Sequence, residues 1–282
     1  MKNIKIEKSL KDEKFEKILV LVFVLPLLFA CNANNEPAPV LTMATTTSMN
    51  DSGLLDVLAP AFKEDTGIEL QWTSLGSGAA MQLARDGEAE VLFAHSPAAE
   101  ETLVADGVST GRHIIMFNNF LFVGPESLGT DDLATAVRDI CENRPYVSRD
   151  DQSGTHTQEV NTFKQYCDSE RANNEITTGE GMLATLNVAN EEGRFTLVDI
   201  ATWLQNRADL PNLTEAFYNK DDLINVYSVH AINSDNFSAE QKENANKFIQ
   251  WMEGSHAQEL IANYGVDKFG EPVFFLGSGP SN

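Results

Sequence analysis

Apolar positions along the chain fall into short runs that alternate between two spacings. "APVLTMAT" (residues 38–45) reads as a strand. "SGLLDVLAPAFKEDTG" (52–67) reads as a helix, with apolar residues at helical spacing and Gly67 as its stop. "IELQWTSLG" is a strand of alternating character, "SGAAMQLARDG" a helix and "AEVLFAHS" a buried strand. This βαβαβ start predicts an α/β fold, a parallel sheet covered by helices. Further on, "IIMFNNFLFVGP" is strand-rich and "TDDLATAVRDICEN" is a helix with Thr130 as a suitable N-cap. "YVSR" is a short strand and "SGTHTQEVNTFKQYCD" a helix. "EGMLATLNVANEEG" is a helix, "RFTLVD" a strand and "IATWLQNRA" a helix. "LINVYSVHAIN" is a long strand, and residues 238–265 give two C-terminal helices.

Two extended segments, near residues 120–125 and 226–232, divide this pattern. If each crosses between lobes, lobe one is 38–122 plus 229–282 and lobe two is 123–228. Ligands of open α/β sheets bind beyond the carboxyl ends of strands, so the expected site is the interlobe cleft, which a hinge can close.

The first 30 residues do not belong to that fold. Six lysines precede residue 18, and 13 apolar residues follow at 18–30. That length suits a signal-peptide core and is too short to span a bilayer. The run ends "LFAC", so residues 1–30 read as a lipoprotein-type signal peptide, Cys31 as the lipidated residue and 31–38 as a polar tether. The chain of 282 residues carries a formal charge of −22; without the leader it has 14 basic and 38 acidic residues, a net of −24. Nucleic acid and anionic membranes repel such a surface, whereas a small anion responds to the local field. Cys141 and Cys167, 26 residues apart on helices of one region, are candidates for a disulfide in an oxidising compartment. No cysteine or histidine spacing of the metal-binding type is present, and no cofactor is expected.

The candidate chemistry lies in four strand-to-helix junctions rich in hydroxyls and glycine: Thr45 to Ser48 ("TTTS"), Ser74 to Gly78 ("SLGSG"), residues 148–156 ("SRDDQSGTH") and Thr196 to Asp199 ("TLVD"). One such loop alone is usually an N-cap. Three or four aimed at one cleft make an anion site from helix N-termini and hydroxyls, to which Arg149 adds a full charge and a fork of donors. The donors suit a fully ionised tetrahedral dianion. Asp150, Asp151 or Asp199 would serve a phosphate that keeps a proton, so sulfate-like and phosphate-like ligands stay open. A serine hydrolase using Ser153 or Ser77 with His156 is the alternative from another class. Against it, His156 stands three residues from Ser153 on the same helical turn, and no G-x-S-x-G elbow occurs. His95 reads as a strand terminator, and Trp72, Trp203 and Trp251 as packing residues.

"ATTTSMNDSGLLDVLAPAFKEDTGI", "LGSGAAMQLARDGEAEVLFAHSPAAEE", "FNNFLFVGP", "SRDDQSGTH", "TLVDIATWL" and "YSVHAIN" resemble, in order, successive blocks of the tungstate-binding proteins of bacterial ABC importers. The resemblance covers about residues 40–235. It implies a class II two-lobe periplasmic binding protein with two interlobe crossovers, monomeric and without enzymatic activity. It implies capture of tungstate, or molybdate, for an ABC permease in the cytoplasmic membrane, with the chain held by lipid at the periplasmic or extracellular face. Carried over residue by residue, it implicates Thr46, Thr47, Ser48, Ser77, Arg149, Ser153, Thr155 and Thr196. The family usually has glycine where Asp150 stands, asparagine where Gln152 stands and often arginine where Ile200 stands. A carboxylate at 150 facing the anion would repel it, so Asp150 is expected to point outward or to pair with Arg149.

Overall fold

The computed structural model describes residues 38–167 and 175–280. The leader, Cys31 and the tether through residue 37 lie outside the described residues. Strand β1 (Val40–Thr46) pairs in parallel with β2 (Glu69–Leu75) on one side and β3 (Val91–Ala94) on the other. The connecting helices, Leu55–Thr66 and Ser77–Arg85, form the predicted βαβαβ unit. Gly67 closes the first of them at φ 74°, a left-handed conformation that glycine takes without a side-chain clash.

Strand β4 (His113–Gly124) is the long element that joins the two halves of the sheet. Its first part, through Asn119, runs antiparallel to β9 (Ile224–Ala231), which in turn pairs with β3. Its second part pairs with β7 (Thr196–Asp199) and β8 (Thr214–Phe217). β5 (Tyr146–Ser148) and β6 (Glu175–Thr177) make a separate parallel pair, and β10 (Phe275–Leu276) adds an edge beside β4. Both segments read from the sequence as crossings thus overlap β4 and β9.

The apolar residues follow this division. Phe62, Phe248 and Trp251 pack edge-on and stacked in the core around β1, with ring centroids 5.1 to 6.4 Å apart. Phe122, Tyr146 and Phe163 form a second cluster around β7 and β8. Cys141 and Cys167 are joined in that region, with a Cα–Cα distance of 6.2 Å.

Some local expectations shift. The N-cap of helix Leu133–Asn143 is Asp132, whose carboxylate accepts from Thr135 N–H, and not Thr130. Carboxylate and hydroxyl compete for the same orphan donors, and Asp132 stands nearer the first turn. The helix Pro97–Ala105 and strands β6, β8 and β10 were not read from the sequence. Their short or evenly mixed apolar runs lack a clear period. Among the described residues no helix is long and apolar enough to cross a membrane.

Candidate functional site

Each hydroxyl-rich loop ends a strand and opens a helix, so its first job is to cap. Thr46 ends β1 in an extended conformation, and its side chain accepts from Met49 N–H at 3.2 Å, opening the short helix Thr47–Asp51. Ser153 caps the helix Gly154–Tyr166 by accepting from His156 N–H at 3.2 Å. Asp199 caps Ile200–Asn206, with both carboxylate oxygens taken by Thr202 N–H (3.0 Å) and Thr202 Oγ1 (2.6 Å).

The fold then brings three of these loops into contact. Ser77 Oγ accepts from Gly154 N–H at 3.0 Å, across 77 residues of chain. Ser48 Oγ lies 2.8 Å from His95 Nε2. A Cβ added at Gly154 would meet His95 Cε1 and His95 O at 3.0 Å and Ser96 Oγ at 2.9 Å, so only glycine lets the third loop approach His95 and Ser96 this closely. The group is buried: Thr46, Ser48, Ser77, Arg149, Ser153 and Thr155 are each at most 3 % exposed, while Thr47 is half-buried.

Arg149 follows β5 and is held from both ends. Its carbonyl accepts from Gly179 N–H at 2.8 Å. Nη1 donates to Thr155 Oγ1 at 3.2 Å, and Nη2 to Asp151 Oδ2 at 2.5 Å. Asp151 Oδ1 also accepts from Ser153 N–H at 3.1 Å, so the loop is tied to its own helix cap. Nε has no hydrogen-bond partner among the described residues, although the side chain is 2 % exposed. A buried charged donor left without an acceptor costs upwards of 1–3 kcal/mol.

Asp150 points outward, with its side chain 58 % exposed and Oδ1 3.7 Å from His156 Nε2. The carboxylate that pairs with Arg149 is its other neighbour, Asp151. Asp150 and Gln152 both adopt left-handed backbone, at φ 48° and 59°. That explains glycine and asparagine as the usual residues there, since both tolerate positive φ. His156 does not serve Ser153: its Nδ1 accepts from Gln152 N–H at 3.1 Å.

Among the described residues Thr196 makes no side-chain hydrogen bond to this group. It opens β7 opposite Val123, whereas Asp199 ends β7 opposite Phe120. Three residues of strand put about 10 Å between them. Its buried Oγ1 has no partner. What the fourth loop delivers toward Arg149 is Asp199, whose carboxyl is raised by burial and pulled back by Thr202 and by the Arg149 charge.

Three residues beyond the predicted set join the site. His95 is fully buried, and burial drives its imidazole down to about 4, against smaller upward effects from Asn225 and Glu100; the ring is neutral near pH 7. Its Nδ1 lies 2.9 Å from Asn225 Oδ1, and Asn225 faces Asn118 across the β4–β9 ladder. A lone histidine and two asparagines carry no local signal. Only strand register assembles them.

A cavity of about 370 Å³ adjoins these residues, lined by Ser77, His95, Phe120, Gly154 and Asn225 among others. A larger recess of about 500 Å³ lies among the C-terminal helices and shares no residue with the four loops. The chemistry is therefore placed by the buried polar groups and not by the larger hollow. Among the described residues no group of three or more His, Cys, Asp or Glu is arranged to hold a metal ion.

A family model described as the PBP superfamily domain matches residues 33–254. The tungstate-binding protein TupA of Peptoclostridium acidaminophilum is 38 % identical over 241 residues, which is 82 % of this chain and 84 % of that one. Among solved structures, the tungstate-binding protein TupA of Desulfovibrio alaskensis G20 superposes with a TM-score of 0.73 at 36 % identity, over 86 % of this chain and all of that one. The structure described as the tungstate ABC transporter from Geobacter sulfurreducens gives 0.73 at 30 % identity, over 80 % and 98 %.

Proposed function

The chain belongs to the PBP superfamily and, within it, to the family of the TupA proteins, and on that premise we propose that it is the extracytoplasmic substrate-binding component of a tungstate ABC importer. It captures WO4(2−), and molybdate as the near-isosteric second ligand, between lobe one (38–122 plus 229–282) and lobe two (123–228). It hands the anion to a permease, and the N-terminal leader with Cys31 anchors it by lipid at the outer face of the membrane.

The observation that carries this reading is the buried Arg149 with Nε unpaired. A cleft that excludes water strengthens the attraction of one guanidinium for a dianion. Ser153 N–H is held by Asp151 and Gly154 N–H by Ser77, so the further donors of this reading are Thr155 N–H at the helix mouth and the hydroxyls of Thr46, Thr47, Ser48 and Ser77. Thr196, at the far end of β7, is left out of the proposed contacts.

The nearby carboxylates favour an anion without a proton. Asp150 faces solvent, Asp151 holds Arg149 and Ser153 N–H, and Asp199 holds Thr202. Asp151 and Asp199 are thus engaged by donors of the protein, which leaves them less capacity for a phosphate hydroxyl than free carboxylates would have. Titration calorimetry with tungstate, molybdate, sulfate and phosphate tests the proposal. Tungstate should bind at least a hundredfold more tightly than phosphate, and the reverse order would sink it.

A further inference from the structure

His95 touches the site on one side and the crossing strands on the other. Its Nε2 is 2.8 Å from Ser48 Oγ and its Nδ1 is 2.9 Å from Asn225 Oδ1. Asn225 donates its amide N–H groups to Asn118 Oδ1 and to the Tyr227 hydroxyl, both at 2.9 Å. It therefore meets His95 with its carbonyl, which can only accept. The neutral ring carries its proton on Nδ1, Nε2 presents a lone pair, and Ser48 donates its hydroxyl proton to that lone pair. In this polarity Ser48 has no proton for an anion. At the far end of the relay, Asn118 Nδ2 is buried with no acceptor.

The same heavy atoms support the opposite polarity. With both amides turned over, Asn118 donates to the Asn225 carbonyl and Asn225 donates to His95 Nδ1. The ring then carries its proton on Nε2 and donates to Ser48 Oγ, and Tyr227 donates to the Asn225 carbonyl. Ser48 then has its hydroxyl proton to give to an anion, with Thr46 Oγ1, 3.2 Å away, as the competing acceptor. The buried group without a partner changes from the Asn118 N–H to the Asn118 carbonyl. The ring stays neutral throughout: one proton leaves Nδ1 and one arrives at Nε2, exchanged with water when the cleft opens. Glu100 and Arg149, the charged groups whose fields reach the ring, keep their charges in both states.

Resting on the tungstate reading, we infer that His95 is a positioning residue whose tautomer decides whether Ser48 donates to the bound oxyanion. A tetrahedral dianion accepts hydrogen bonds and donates none, so its binding selects the Nε2–H form. An oxyanion that keeps a proton donates to Ser48 Oγ in the Nδ1–H form. The relay thus adjusts to the protonation state of the ligand, and its tautomer reports that state.

Long-range proton–nitrogen NMR on the histidine-labelled chain at pH 7 tests this, because the two ring nitrogens of a neutral imidazole exchange chemical shifts when the tautomer changes. His95 should be Nδ1–H without oxyanion and Nε2–H at saturating tungstate. The same tautomer in both samples overturns the inference. Calorimetry on the same samples separates the two claims. Tungstate binding with no tautomer change removes the His95 role alone; no binding of tungstate, molybdate, sulfate or phosphate removes the tungstate reading and this one with it. His95→Phe, checked for folding by its melting curve, should weaken tungstate at least tenfold, and an unchanged Kd counts against the relay. If that variant does not fold, the NMR comparison on the unaltered chain decides.

Discussion

Two arginines make buried or nearly buried carboxylate pairs, and they are built differently. Arg112, just before β4, donates through Nε to Glu100 Oε2 at 2.7 Å. Glu100 is also held by Ser96 N–H at 2.6 Å and by Ser228 Oγ at 2.5 Å, with His230 Nε2 at 3.6 Å. Burial alone would raise this carboxyl, but the bonds from His230, Arg112 and Ser228 outweigh it and bring it down to about 2. Here the carboxylate is the centre and its donors converge on it. At Arg149 the cation is the centre, and among the described residues Asp151 is the carboxylate bonded to it and Nε is left over. Arg112 also leaves one nitrogen without a partner, but its side chain is 19 % exposed against 2 % for Arg149. The first pair completes a structural cluster; the second leaves a buried donor unused.

The largest expected effect separates the two. Arg149→Ala should weaken tungstate binding by about 3 kcal/mol or more, over a hundredfold in Kd, because a buried dianion loses its countercharge. The ligand-free protein should lose less stability than with Arg112→Ala, because Asp151 keeps its bond from Ser153 N–H and is 13 % exposed, whereas Glu100 is fully buried. Equal losses of affinity and of melting temperature would erase the distinction between the pairs.

Arg112→Ala is the converse. It strands Glu100 as a buried charge and should cost about 3 kcal/mol of stability, measured by denaturant unfolding, with Kd kept within a few-fold. The same cluster sets an acid limit. Glu100 titrates lower in the folded chain, at about 2, than its ordinary 4.5. Its contribution is therefore full above about pH 4.5 and is lost as pH falls toward 2. Glu100→Gln should flatten that part of the stability profile, and an unaltered acid slope would show that other carboxylates carry it.

Two smaller effects refine the boundary of the site. Asp150→Gly relieves left-handed backbone at φ 48° and should raise stability by about 0.5 kcal/mol, with Kd within twofold since the carboxylate faces solvent. Thr196→Val should leave tungstate affinity unchanged. A tenfold loss would instead bring β7 into the site and contradict its placement at the far end of the strand.

Much of this was legible in the chain because it is local. Strand-to-helix junctions are marked by Ser, Thr, Asp and Gly at positions where orphan N–H groups need acceptors, so Thr46, Ser153 and Asp199 could be named from neighbours within three residues. Arg149 and the two lobes were read from the residues themselves, and the likeness of whole blocks to tungstate-binding proteins added the class of anion. Asp150 could be expected to turn outward from charge alone, although not that Asp151 would take the arginine.

What the tertiary structure decided is which loops touch. Ser77 reaches Gly154 across 77 residues, and Ser48 reaches His95 across 47. Asn118 meets Asn225 only because β4 and β9 pair in one register, and Asp199 lies opposite Phe120 with Thr196 opposite Val123 only because β4 and β7 pair as they do. Capping is satisfied within one turn of backbone, so sequence specifies it. A shared anion site needs donors from separate strands at hydrogen-bond distance, and sheet pairing alone sets those distances.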